Sequence, residues 1–260
     1  MVRDAMMAAT DESQRALVRS VLASLIESLE QDPEAKEESL IDMRSRTEGV
    51  TALPRNGGGG GANGDALTML QQRLVARAEA LYGQKGFHGI HEPPIFLDLW
   101  PNFSDRLHSG VFEATTEGPY VIGIGKGAST WSDVIYEIAH ESLHLLDPVA
   151  DVAVTPVAAI EEGVAVKFAE VVYSEHMRPH GAAQPMGSRA VAYDANYRSA
   201  YEAARKIPDE DLKRVRAHFG KFSAVTDTAA YRACVDAHVD DEEAQALAAP
   251  FVYRQLAKRA

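Results

Sequence analysis

Apolar residues in this chain recur mostly at three- and four-residue steps, and that spacing predicts helices. Leu17, Val18, Val21, Leu22, Leu25, Ile26 and Leu29 form the first stripe, one face of an amphipathic helix of about five turns. Such a stripe must bury itself against the rest of the chain, a partner or a second copy. A covering helix over a cleft, in the manner of a prosegment, is a further expectation. Helical spacing returns over 67–81. Residues 95–100, apolar behind two prolines, and 120–125, Tyr-Val-Ile-Gly-Ile-Gly, predict strands. Thr130 and Asp133 match a helix N-cap and its third helical residue. Trp131, Val134, Ile135, Ile138, Leu145 and Leu146 then keep a helical spacing until Pro148.

From residue 156 onward the pattern is almost wholly helical. Helices are expected over 157–173 and 190–206. Another starts at Pro208, with Asp209, Glu210 and Asp211 in its first turn, and stops at Gly220. Two more span 226–239 and 241–258, with Pro250 kinking or breaking the last. Strands early and helices late predict an α+β fold with a small sheet. The run 56–64, Asn-Gly-Gly-Gly-Gly-Gly-Ala-Asn-Gly, reads as a flexible connector, because consecutive glycines lose too much backbone entropy in a helix or strand. It separates an N-terminal helix and acidic segment, 1–55, from a main domain, 65–260.

Composition narrows the function classes. A globular portion of roughly 200 residues buries about 70% of its unfolded surface, enough for a core. The formal charge of −12 argues against a nucleic-acid partner. Glu27, Glu30, Asp32, Glu34, Glu37, Glu38 and Asp42, and the run 240–243, are expected to be solvated faces or loops. Cys234 is the single cysteine, so no intrachain disulfide forms, which fits a reducing compartment. No secretory signal follows Met1-Val2-Arg3-Asp4, and no apolar run approaches 18 residues. A cytoplasmic protein with no membrane span is expected; the pattern does not fix an oligomeric state.

The chemistry concentrates at His140-Glu141-Ser142-Leu143-His144, an HExxH sequence on the helix that starts at Trp131. Residues four apart share a helix face, so both imidazoles reach one metal ion, and Glu141 projects toward the side where a water would bind. Zinc, one ion per chain, is the expected cofactor. It makes hydroxide accessible near neutral pH, while Glu141 serves as general base. A catalytic zinc takes three protein ligands. A third histidine in the extended form HExxHxxGxxH is excluded, since Asp147 and Ala150 occupy the glycine and histidine places. The remaining solution is a glutamate on the next helix, within Ala159-Ile160-Glu161-Glu162-Gly163-Val164-Ala165, where both Glu161 and Glu162 qualify. Gly163 there allows close approach of two backbones.

At these residues the chain resembles the gluzincins, the HExxH-plus-glutamate zinc metallopeptidases that include thermolysin-like enzymes and the large aminopeptidases. The resemblance covers about 120–173. It implies a zincin-like catalytic domain with two packed active-site helices, a helical C-terminal part and a peptide or protein substrate. In the aminopeptidase pattern the ligand glutamate directly precedes a glycine, which selects Glu162, with Glu161 as the alternative. The chain departs from the family in a slightly short spacing between His144 and Glu162. It also has Val166 where thermolysin-like members place an aspartate that orients a histidine, so Glu137, Asp147 or a backbone carbonyl must take that task. The resemblance further implies an oxyanion donor from the downstream helices. Tyr197 is the candidate, with Tyr193 and Tyr201 as alternatives. The strand at 120–125 resembles one along which substrate backbone pairs. Gly110-Val111-Phe112-Glu113-Ala114 lies where aminopeptidases carry a glutamate for the substrate's free amine but matches poorly, leaving exo- and endopeptidase both open. His176 and His180 imitate a metal pair, but Pro179 between them argues against a regular helix, and they are expected at the surface or in a loop. A catalytically silent scaffold and a hydrolase of non-peptide amides are the competing readings.

Overall fold

Val18, Val21, Leu22, Leu25 and Ile26 are completely buried, and they are so because their helix, α1 (Val2–Leu29), lies on the rest of the molecule. The computed structural model describes residues 2–51, 53, 63–85, 109–113, 120–125, 127–149, 152, 154–235 and 238–253. The expected strand at 95–100 and the connector residues 56–62 lie outside the described residues. After α1 the chain turns into α2 (Pro33–Arg46), with Pro33 in its first turn and the Asp32 carboxylate accepting from the Glu34 amide at 2.9 Å. Glu34, Glu37, Glu38 and Asp42 stand exposed on α2 while Met43 turns inward, so the acidic segment is a solvated helix face. Arg73 of α3 (Gly64–Tyr82) ties the hairpin down, pairing with Glu30 and donating to Ser39 Oγ at 2.8 Å.

Two short strands follow, β1 (Gly110–Glu113) and β2 (Tyr120–Gly123), antiparallel with Phe112 opposite Val121. Among the described residues this is the whole sheet. β2 is the predicted second strand, shortened to four residues; β1 is too short to announce itself by alternation.

Helix α4 (Trp131–His144) opens with a complete capping box. Thr130 Oγ1 accepts from the Asp133 amide at 3.2 Å, and Asp133 accepts from the Thr130 amide at 3.1 Å. Trp131, completely buried, donates Nε1–H to Thr51 O at 2.9 Å, which fastens the N-terminal segment to the start of α4. α4 packs against α3 and against α5 (Ala159–Val172), and α5 packs in turn on α7 (Ala195–Ala204). Ile160, Val164 and Phe168 of α5 are all at zero exposure, and Tyr82 and Phe168 meet edge to face with ring centroids 6.3 Å apart.

The remaining helices are α6 (Met186–Val191), α8 (Asp209–Phe219), α9 (Thr228–Val235) and α10 (Asp241–Ala248). The helix expected over 190–206 is two helices. Asp194 breaks it by accepting from the Asn196 and Tyr197 amides, restarting the chain as α7. Asp240 and Glu243 form a capping box at the start of α10, so that acidic run is a helix terminus. α10 ends at Ala248, Ala249 leaves it with an extended backbone, and an isolated antiparallel bridge joins Pro250 to Ala158. The described residues are thus mostly helical with one small antiparallel sheet, an α+β-like arrangement. No described helix is long and apolar enough to cross a membrane.

Candidate metal centre

The capping box fixes where α4 begins, and ten residues later that register delivers His140, Glu141 and His144 to the face turned toward α5. On the opposing side Glu161 and Glu162 sit in the first turn of α5, where the helix dipole favours negative charge. The two His Nε2 atoms come within 3.3 Å of each other. Glu162 Oε2 lies 3.3 Å from His140 Nε2, and Glu162 Oε1 lies 3.6 Å from His144 Nε2. His140, His144 and Glu162 offer three ligand atoms all within 4.8 Å of one another, so the group could hold a metal ion.

The fit can be tested on the protein's own unsatisfied atoms. Glu162 is 3% exposed, and the polar neighbour of its buried Oε2 is His140 Nε2, a long 3.3 Å away. A buried carboxylate oxygen without a donor costs several kcal/mol unless a cation or a proton sits beside it. Two imidazoles and a carboxylate form a donor set that suits zinc. The three residues therefore form a group that could hold a metal ion.

Glu161 has a different task. Its Oε1 accepts from His144 Nδ1 at 2.9 Å. A carboxylate only accepts, so Nδ1 carries a proton, and Nε2 is the ring nitrogen on the side of Glu162 that a metal ion would take in place of a proton. This is the carboxylate–histidine arrangement that orients a metal-binding imidazole. The sequence assigned that task to Glu137, Asp147 or a carbonyl, and the structure corrects it. Asp147 is engaged by Arg216, whose Nε lies 2.8 Å from Oδ2, and the charge of Glu137 acts on Glu141.

Charge in the centre is unbalanced in favour of a cation. Burial opposes the charged form of His144, yet Glu162 and the bonded Glu161 lift it to about 10. His140 is raised too, because Glu162 and Glu141 outweigh its burial. Burial disfavours the Glu162 carboxylate, but His144 and His140 hold it down at about 2. Glu141, 5% exposed, goes the other way: burial pushes it up to about 7 against the pull of the two histidines. A carboxyl near neutrality is suited to taking and returning a proton.

Of the three candidate tyrosines, one lies at the centre. The Tyr197 ring is 6.4 Å from that of His140 and 4.8 Å from Phe251. Burial, then Glu162 and Glu141, keep its hydroxyl well above the ordinary range and therefore protonated. Tyr193 is 82% exposed. Tyr201 stacks under Arg205 and feels Glu170, off the centre. Sequence reasoning missed Tyr253, whose hydroxyl donates to Glu162 Oε1 at 2.5 Å. It was hidden because 241–258 read as a helix, and only the break at Pro250 brings Tyr253 back over α5.

Two further expectations change. Gly163 does not serve the α4–α5 contact; a Cβ there would meet Ala200 O of α7 at 2.5 Å. His176 is not a surface residue. The chain continues from α5 through a π-helical turn, Tyr173–Met177, which keeps His176 buried at 4% exposure, with Nδ1 and Ser24 Oγ 2.7 Å apart. His180, in the exposed turn beyond, is at the surface as expected. Compared with protein-family models, curated protein sequences and solved structures, the chain matches nothing.

Proposed function

We propose that the protein is a zinc-dependent peptidase of the gluzincin type, with His140, His144 and Glu162 holding the ion. The observation that carries this reading is the convergence of the two imidazole Nε2 atoms on the buried Glu162 carboxylate, His140 on Oε2 at 3.3 Å and His144 on Oε1 at 3.6 Å, with Glu141 buried beside them. When bound, zinc acidifies a water and polarises a carbonyl. The chain's own groups perform the rest. Glu141, poised near neutrality, takes a proton from the attacking water and delivers it to the leaving amine. Tyr197 keeps its hydroxyl proton and donates to the oxyanion that develops on the scissile carbonyl. Glu161 accepts from Nδ1 and so holds the His144 ring with Nε2 toward the site of the ion. The intact Glu141 favours an enzyme over a silent scaffold, which has no use for a base at this position.

The test combines metal analysis with proteolysis of an unstructured protein substrate such as casein. Purified protein should carry about one zinc per chain, and Glu141→Gln should keep that zinc while losing about 100-fold or more of turnover. A folded protein that takes up no zinc removes the metal centre, and full activity in Glu141→Gln removes Glu141 as the base.

A further inference from the structure

Helix α5, which carries Glu161 and Glu162, has no side-chain N-cap. Its entry is held by the other end of the chain. The Ala159 amide donates to Ala249 O at 2.8 Å, and the Phe251 amide donates to Val157 O at 2.8 Å, closing an antiparallel bridge around Ala158 and Pro250. Asn196 Nδ2 of α7 donates to Val252 O at 2.7 Å. The segment 249–253 is thus fixed to the start of α5 and to α7. From there Tyr253 reaches Glu162, and an aromatic series continues through Phe251 to Tyr197, with centroids 4.9 and 4.8 Å apart.

This contact makes the two oxygens of Glu162 unequal. Oε1 accepts from the Tyr253 hydroxyl and lies 3.6 Å from His144 Nε2, while Oε2 is buried and has only the imidazole of His140 beside it, 3.3 Å from Nε2. A carboxylate with one oxygen tied to a phenol has the other left for a cation. We infer that the segment 249–253 is a metal-coupled latch, in which Tyr253 is a positioning residue that commits Glu162 to bind a metal through Oε2. The inference rests on the metal-centre reading above. Coupling of this kind is reciprocal: the factor by which Tyr253 tightens metal binding is the factor by which the metal holds the segment closed. Groups that hydrogen-bond a metal ligand typically change affinity by about 10- to 100-fold, and that sets the size of the effect in both directions.

Zinc affinity of the full chain, measured by competition with a chromogenic chelator, provides the first readout. Tyr253→Phe keeps the ring against Phe251 and removes only the hydroxyl, and it should weaken zinc by about 10- to 100-fold. In cobalt-loaded protein the same substitution should change the visible ligand-field bands, because Oε1 becomes free to join the ion; loss of packing alone does not move them. The second readout needs no variant. Adding zinc to the unaltered protein should slow hydrogen exchange at the Phe251 and Ala159 amides by a similar factor. Zinc affinity within twofold of wild type in Tyr253→Phe with unchanged cobalt bands, or exchange at those amides indifferent to zinc, overturns the latch. Wild-type protein that binds no zinc overturns the metal centre itself, an outcome separate from either.

Discussion

Replacing Gly163 by alanine tests how tightly the helix that carries Glu162 is seated. A Cβ at this position would lie 2.5 Å from Ala200 O, 2.9 Å from Ala200 C and 3.0 Å from Ala204 Cβ. The first two are backbone atoms of α7 and cannot rotate away. Ordinary contact begins near 3.4 Å, so α5 and α7 must separate by about 0.9 Å. Forced expansion of a packed interface costs about 1–3 kcal/mol. Alanine recovers up to about 1 kcal/mol of helix propensity, leaving a net loss of about 1–2 kcal/mol. Urea unfolding followed by circular dichroism should show that loss as a lower midpoint with an unchanged slope, and the melting temperature should fall by about 2–8 °C. Gly64, at the start of α3, is the control, since a Cβ there meets nothing within 4 Å and Gly64→Ala should be neutral or stabilising. A Gly163→Ala protein at least as stable as wild type would falsify the reasoning, because propensity alone would then govern a contact taken to be closed.

Other consequences follow from the same geometry. Glu162→Ala should abolish measurable zinc binding, whereas Glu161→Ala, which frees only the His144 ring, should weaken it by about 10- to 100-fold; the reverse ranking would exchange the two assignments. His176 is held neutral, its pKa lowered to about 4 by burial, by Arg77 of α3 and by His180, with Ser24 of α1 at Nδ1 and Glu175 the nearby anion. The unfolded chain therefore takes up this proton first. The contribution is complete above pH ~6.5 and is lost as pH falls toward 4, costing about 2 kcal/mol after discounting for partial solvent screening. Equilibrium unfolding at a series of pH values should show His176→Gln flattening that window, and an unchanged acid slope would count against it. Arg216, 5% exposed, bonds Asp147 and the Tyr82 and Gly83 carbonyls, so Arg216→Met should destabilise by about 3–5 kcal/mol. A loss below about 1 kcal/mol in the same unfolding assay would mean the network is dispensable.

Much of the fold was legible because local rules suffice for it. The Thr130–Asp133 capping box, the apolar stripe of α1, the acidic first turn of α8 and its stop at Gly220, where φ is +79°, all sit where short-range pattern put them. The departures have tertiary causes. Asp194 caps α7 with its own carboxylate and splits an otherwise continuous helical spacing. Ala249 and Phe251 abandon α10 because their backbone groups find partners at Ala159 and Val157, about 90 residues earlier in sequence. No periodicity within 241–258 can report a partner that distant.

The candidate centre divides along the same line. His140 and His144 share a helix face by spacing alone, and Glu141 follows from its place between them, so five consecutive residues were enough to nominate them. Glu161 and Glu162 are adjacent, and spacing could not rank them. Successive helical residues point about 100° apart, so only the position of α4 decides which carboxylate meets the Nε2 atoms and which meets Nδ1. The structure gives Glu162 the first place and Glu161 the second. Val166 leaves no gap in hydrogen bonding at His144: a carboxylate reaches its Nδ1 from Glu161, one residue before the candidate ligand rather than four after it. Tyr253, 91 positions from Glu162, had no local signal at all. What the sequence leaves undetermined is whichever contact is closed by chain segments that meet only after folding, and in this protein that contact is the one made to a candidate ligand of the metal.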